Sequence, residues 1–369
     1  MPDEELRKDA LGRYLAGLPR RTLNLALWLL PIVAMGNVAV LAWSLGTINL
    51  AQRLVAPQLL GLAGLLAFVP MLANTLRLAI ASRFLGLTLG FGGALRVISG
   101  TMVANSITPS AAGGTPIKVL FLIGEGIEPR RAVSLISFQA AEDAVSLFGL
   151  VALATALSGF AMVDFLANDP DLAIGIGQGL RIGAGILAGL FAALLVLGGL
   201  IAAGVFGQRI RGVLSKLGRR GRVSLAIVAG DWGTLMRRGK GVALLNLGMA
   251  GVQWSLRFSI AGLVLAAFGV AWQPALFWLL QYLVQTISST VPSPGGAGGA
   301  EAGFLLLFAP FVDHSVLLPA MSTWRLLFFY LPLMAAALTF FALRHRHHRE
   351  ASQSRRQGAA PLCGHMPAE

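Results

Sequence analysis

Residues Val291–Glu301 read VPSPGGAGGAE and lie between two apolar runs, PALFWLLQYLVQTISST before and AGFLLLFAPF after. Two prolines, four glycines and a carboxylate interrupt what would otherwise be one long hydrophobic helix. A second interruption of the same kind, ITPSAAGGTPIK, occupies Ile107–Lys118. Proline stops an incoming helix and glycine lets backbone approach closely or adopt positive φ, so each stretch predicts a break between two helical arms. Irregular backbone at membrane depth is tolerated only where protein or a water-filled cavity satisfies its polar groups. Both breaks are therefore expected to face an interior.

The surroundings place these breaks in a membrane. Of 369 residues, 56% are hydrophobic and 12% charged, with a mean hydropathy of +0.74, the profile of a polytopic membrane protein. Runs long enough for a hydrocarbon core of about 30 Å occur at 23–45, 58–82, 131–160, 181–206, 241–269 and 316–343. The regions 94–124 and 274–312 carry the two breaks, and their arms are short for full crossings. The reading is an all-α integral membrane protein with six full transmembrane helices and two re-entrant hairpins. Residues 1–22 read as an interfacial N-terminal segment, 23–343 as the transmembrane domain, and 344–369 as a basic, disordered cytoplasmic tail.

Loop charge sets the topology. Segment 161–180 has three aspartates and no Lys or Arg, whereas 207–240 has nine Lys/Arg against one Asp. The first is expected outside and the second in the cytoplasm, with both termini cytoplasmic, in the inner or plasma membrane. This works only if 94–124 enters and leaves on one side, and the same parity makes 274–312 open from the other. The two breaks align without gaps at a separation of 183 residues, setting Pro109 on Pro292, Gly113 on Gly296, Lys118 on Glu301 and Glu142 on Arg325. Oppositely oriented hairpins of this kind predict an inverted repeat with a site near the midplane.

The net charge of +13 would suggest nucleic acid in a soluble protein, but the basic residues cluster at the ends of apolar runs, which membrane insertion explains, and no nucleic-acid partner is expected. The single cysteine, Cys363, and four of the five histidines lie in the tail. No nucleophile–base constellation is legible, the GFGG string at 90–93 lacks nucleotide-loop context, and no catalytic residue, metal or cofactor is implied. Lys118, Glu142, Asp143, Arg257, Glu301 and Arg325 fall inside segments that should be buried, each costly unless paired. Asn105, Gln139, Gln253, Gln281 and Gln285 add uncharged hydrogen-bonding groups. Arg77, near the end of 58–82, is expected to snorkel to the interface. The arms leaving the breaks, near Thr115 and Gly299, are expected to point free N–H groups into the cavity, where they would attract an anion such as a phosphodiester.

These residues carry a resemblance. VPSPGGAGGAE, ITPSAAGGTPIK with GIEPRRAVSLISFQAAED, and STWRLLFFYLPL resemble motifs of the lysylphosphatidylglycerol synthase/flippase transmembrane region, over about residues 20–343. Pro294, Gly295, Gly296, Glu301 and Arg325 match the second-half motif, and Pro109, Gly113 and Gly114 the first. Glu142 resembles the acidic member of a motif often followed by arginine, where this chain has Asp143. The resemblance implies translocation of a polar lipid, or a lipid-linked head group, between leaflets, with membrane lipids bearing a phosphate as partners and a lipid-synthesising enzyme as a candidate partner. The cytoplasmic aminoacyltransferase domain of some members is not expected here. The alternatives are a membrane enzyme or accessory subunit acting on a lipid-linked phosphate or sugar, and a carrier of a small anion. In the leading reading Lys118, Arg257 and Arg325 meet the phosphate while Glu142 and Glu301 hold those cations.

Overall fold

The computed structural model describes residues 54–108, 114–158, 226–291 and 293–343. The segment 1–22, the predicted spans 23–45 and 181–206, the outer loop, most of the basic loop, the tail, and Pro109 and Gly113 lie outside the described residues. Among those described the chain is helical, without strands. Eight elements carry the fold: α1 (Gln58–Phe84), α2 (Phe91–Ile107), α3 (Gly114–Gly124), α4 (Pro129–Leu157), α5 (Lys240–Ala267), α6 (Pro274–Thr290), α7 (Gly299–Phe308) and α8 (His314–Leu343). A further helical stretch, 226–238, precedes α5.

Four of these, α1, α4, α5 and α8, are long and apolar enough to cross a membrane. They coincide within a few residues with predicted spans. Local chemistry sets their ends. Proline occupies the first turn of α4 and α6, where its missing N–H costs nothing. Gly86 and Gly269 have φ of 69° and 86° and close α1 and α5 with matching caps, in which Leu87 N–H donates to Ser82 O and Val270 N–H to Leu265 O. Within α8, Pro319 interrupts the ladder and a π-helical turn follows at Leu326–Tyr330.

The pairs α2/α3 and α6/α7 pack against one another in the two regions where hairpins are expected. Their arms of 17, 11, 17 and 10 residues span about 15–26 Å at 1.5 Å per residue, short of a bilayer. At the base of the first, the Arg96 guanidinium grips Glu125 through two hydrogen bonds of 2.8 and 2.7 Å. At its tip, Gly114 lies against the Asn105 amide with no room for a Cβ. The second has its base where Phe277 meets Phe308, ring centroids 5.7 Å apart, and its tip where Gly296 and Gly299 press on Ser288 and Val291.

Each hairpin sits in its own hydrophobic core. One core joins α1 to the first hairpin and α4, with Ala336 of α8 reaching in; Phe121 of α3 packs on Phe340 of α8 at 5.4 Å. The other joins α5 through α8, threaded by a run of rings from Phe308 to Phe304, Trp324 and Phe328 with centroids 4.4, 4.9 and 5.2 Å apart. In the opposite sense, α6 packs on α4. The hairpins are thus clamped crosswise between long helices, which fixes where their tips meet.

Candidate functional site

Both tips open on one cavity of about 320 Å³. Met102, Asn105 and Ser106 line it from the first hairpin, and Gln281, Gln285, Ser288, Ser289, Gly295 and Gly296 from the second. The long helices complete the wall with Asn74 and Asp143, with Gln253, Trp254 and Arg257 of α5, and with Trp324, Arg325, Phe328 and Phe329 of α8. Of the residues singled out in the sequence, Asn105, Asp143, Arg257, Gln281, Gln285, Gly295, Gly296 and Arg325 therefore converge here. Gly114 supports the first tip from behind, and Pro294 belongs to the turn of the second without lining the cavity.

The second break is built for close approach. Gly295 and Gly296 have φ of 62° and 66°, and a Cβ on either would run into the Phe329 ring or the Ser288 hydroxyl. Arg325 binds this turn three ways. Its Nη2 donates to Gly295 O at 2.8 Å, its Nε lies 2.9 Å from Glu301 Oε1, and its guanidinium stacks on the Phe329 ring at 4.4 Å.

Glu301 has a second duty that corrects an expectation. Its other oxygen accepts the Gly298 N–H at 2.7 Å, capping α7, while the N–H groups of Ala300 and Ala302 donate to Gly296 O and Gly298 O. Three N–H groups at the start of this helix are thus already bonded from within. A carboxylate at N3 that reaches back to the N-cap does this routinely, so the α7 terminus does not offer Gly298 N–H to a ligand.

A buried charge cluster stands beside the cavity. Arg77 is fully buried and donates to Glu142 Oε2 at 2.8 Å, to Asp143 Oδ1 at 2.7 Å and to the Gln139 carbonyl at 3.2 Å. The expectation that Arg77 snorkels to the interface is overturned. Its partners sit in the middle of α4, and two carboxylates there hold it inward more strongly than water could at the helix end. Lys118 lies on the same side, donating to Gln139 Oε1, and Asp143 also accepts the Trp254 indole N–H at 3.2 Å. Lys118, Glu142 and Glu301 do not line the cavity. Lys118 is tied to the cluster through Gln139, and Glu142 holds Arg77 instead of Lys118 or Arg257.

Arg257 is different. Its guanidinium lies over the Phe328 ring at 4.2 Å and its Nε has no hydrogen-bond partner. Among the described residues no carboxylate pairs with it. On the same cavity wall Gln281 is wholly buried, with neither amide atom hydrogen-bonded. Sequence reasoning found both residues but not their isolation. It missed the aromatic partners of the arginines, Phe328 and Phe329, because aromatic residues in an apolar helix give no signal until the π turn aims them at a cavity. Among the described residues, no group of three or more His, Cys, Asp or Glu could hold a metal.

A "UPF0104 membrane protein" of Archaeoglobus fulgidus is 24% identical over 288 residues, covering 72% of this chain and 80% of that protein. The sequence profile of the lysylphosphatidylglycerol synthase TM region matches residues 25–336, taking in both hairpins, the buried charges and the whole cavity wall, and the chain belongs to that family of membrane proteins.

Proposed function

We propose that this protein moves a phosphate-bearing lipid head group between leaflets through the cavity at the two hairpin tips, while the acyl chains stay in the bilayer. The observation that carries the reading is Arg257, a cation without an ionic partner among the described residues, on the wall of a cavity enclosed by broken helices. Ionisable groups at membrane depth are costly and face interiors that handle polar cargo. The family's association with a lipid-related membrane region points the same way.

An inverted repeat supplies the two-sided access that translocation needs, and the element boundaries support one. Adding 183 to α1 gives 241–267 beside Lys240–Ala267; α2 becomes 274–290, matching Pro274–Thr290; α4 becomes 312–340 beside His314–Leu343. The glycine caps at 86 and 269 are also 183 apart. So are five pairs of residues that line the cavity: Pro70/Gln253, Asn74/Arg257, Met102/Gln285, Asn105/Ser288 and Ser106/Ser289. A cavity walled by equivalent positions of both halves lies on the axis relating them. If the predicted span 181–206 also crosses, three crossings separate equivalent elements, the halves are oppositely oriented and each tip can open to its own side.

Reconstitution into liposomes with a tail-labelled phosphatidylglycerol tests the proposal. Faster head-group exchange between leaflets than in protein-free vesicles is expected, slowed when Glu301 and Arg325 are replaced together. Exchange no faster than in empty vesicles, or chemical turnover of the lipid in detergent, would overturn it.

A further inference from the structure

Among the described residues, the charges around the cavity do not cancel. Arg77, Lys118, Arg257 and Arg325 are matched there by three carboxylates, Glu142, Asp143 and Glu301. The other two ion pairs among the described residues, Arg96–Glu125 and Arg131–Asp231, each join one cation to one carboxylate away from the cavity wall. Arg325 and Glu301 neutralise one another. Arg77 with its two acids carries one negative charge, which Lys118 offsets from the same side. The surplus positive charge therefore falls on Arg257, whose Nε is unmet and which lines the same cavity as Gln281 with its unbonded amide. Asp143, the one carboxylate on the cavity wall among the described residues, already faces the Arg77 guanidinium.

We infer that the cavity selects a lipid head group with a single net negative charge: a phosphodiester esterified to an uncharged, hydroxyl-bearing group. The phosphodiester neutralises Arg257, and the Gln281 amide, able both to donate and to accept, meets a phosphate oxygen and a hydroxyl. An ethanolamine head group would leave the surplus charge uncompensated. An aminoacylated head group would add to it, and a phosphomonoester dianion would overshoot to a net negative core. Uncompensated charge in a low-dielectric interior is strongly disfavoured, so discrimination follows from charge count before any shape term. This rests on the translocation reading for its lipid, but not on movement of that lipid.

The test is equilibrium binding to the full chain in a neutral maltoside detergent, with dihexanoyl phosphatidylglycerol, phosphatidylethanolamine, lysylphosphatidylglycerol and phosphatidic acid, and with water-soluble glycerophosphoglycerol as the chain-free arm. In the wild type, phosphatidylglycerol is expected to bind at least about tenfold tighter than each of the other four probes, an effect equal to about 1.4 kcal/mol. Arg257→Gln is expected to weaken phosphatidylglycerol by roughly tenfold to a hundredfold and to abolish its advantage over phosphatidylethanolamine, whereas Arg257→Lys keeps the order. Equal or tighter binding of the ethanolamine or lysyl lipid overturns the inference, as does an unchanged order in Arg257→Gln. Equal affinity for glycerophosphoglycerol overturns the assignment to a lipid. The wild-type ranking needs no variant to fold, and because micelles have no leaflets it stands or falls separately from translocation. A flat vesicle assay with this ranking intact refutes transport alone.

Discussion

Replacing Arg77 by methionine separates a structural cation from a snorkelling one. In the fold Arg77 is fully buried and holds Glu142, whose side chain is 10% exposed, and Asp143, at 29%. Removing it leaves two neighbouring carboxylates with no guanidinium between them. Breaking a buried pair by deleting one partner costs about 3–5 kcal/mol, and because two acids lose the same cation we expect Arg77→Met to fall at the upper end. Glu142→Gln leaves Arg77 on Asp143 and should cost about 2–3 kcal/mol, within the range for a buried charge-assisted hydrogen bond. Asp143→Asn keeps the closer burial of Arg77 on Glu142 and replaces an acceptor partly open to the cavity, so about 1 kcal/mol is expected. The double variant Arg77→Met/Glu142→Gln should cost clearly less than the sum of its parts, because the two residues share one network. Reversible unfolding by SDS in mixed micelles reads all four. If Arg77→Met lies within about 0.5 kcal/mol of wild type, as expected for an exposed side chain, the buried cluster does not exist.

Other consequences concern the second hairpin and its orientation. Gly295→Ala and Gly296→Ala should each cost at least about 1–2 kcal/mol for an alanine at positive φ, and the steric conflict with Phe329 or Ser288 should also slow lipid exchange in vesicles. Glu301→Gln, which keeps an acceptor for Gly298 N–H but not the charge opposite Arg325, should be milder by about 1 kcal/mol than Glu301→Ala, which loses both; equal stability of the two would contradict the capping role. Arg325→Lys should behave much like Arg325→Met in exchange assays, since a point charge cannot make the carbonyl bond, ion pair and ring stack at once. With Cys363 replaced by serine, a single cysteine at Glu128 and one at Asp313, both exposed in the fold, should react with an impermeant maleimide from opposite sides of the membrane; labelling from the same side would rule out oppositely facing hairpins.

Much of this architecture was legible because membranes limit the vocabulary. The lengths of α1, α4, α5 and α8 follow from bilayer thickness, and the two Gly/Pro interruptions read as breaks expected to face an interior. Polar residues at Asn105, Gln281, Gln285 and Arg257 were recognisable because the apolar helices around them offer nothing else to explain their presence. What could not be read was pairing. Arg77 sits seven residues from the end of α1, close enough for a snorkel by sequence distance alone, and only the packing of α4 brings Glu142 and Asp143 against it. In the same way nothing in the string GGAGGAE shows that Glu301 folds back to accept the Gly298 N–H. The aromatic shelves under Arg257 and Arg325 depend on one π turn in α8, a backbone detail that helix-period reasoning does not resolve.

The most direct test of the central claim is a density map of the protein in nanodiscs containing phosphatidylglycerol. The account predicts a phosphate against Arg257 and Gln281 at the meeting of the two hairpin tips, with acyl chains leading out between the long helices. A map in which Arg257 turns onto a carboxylate of the chain, and lipid phosphates lie only at the membrane surfaces, would contradict it.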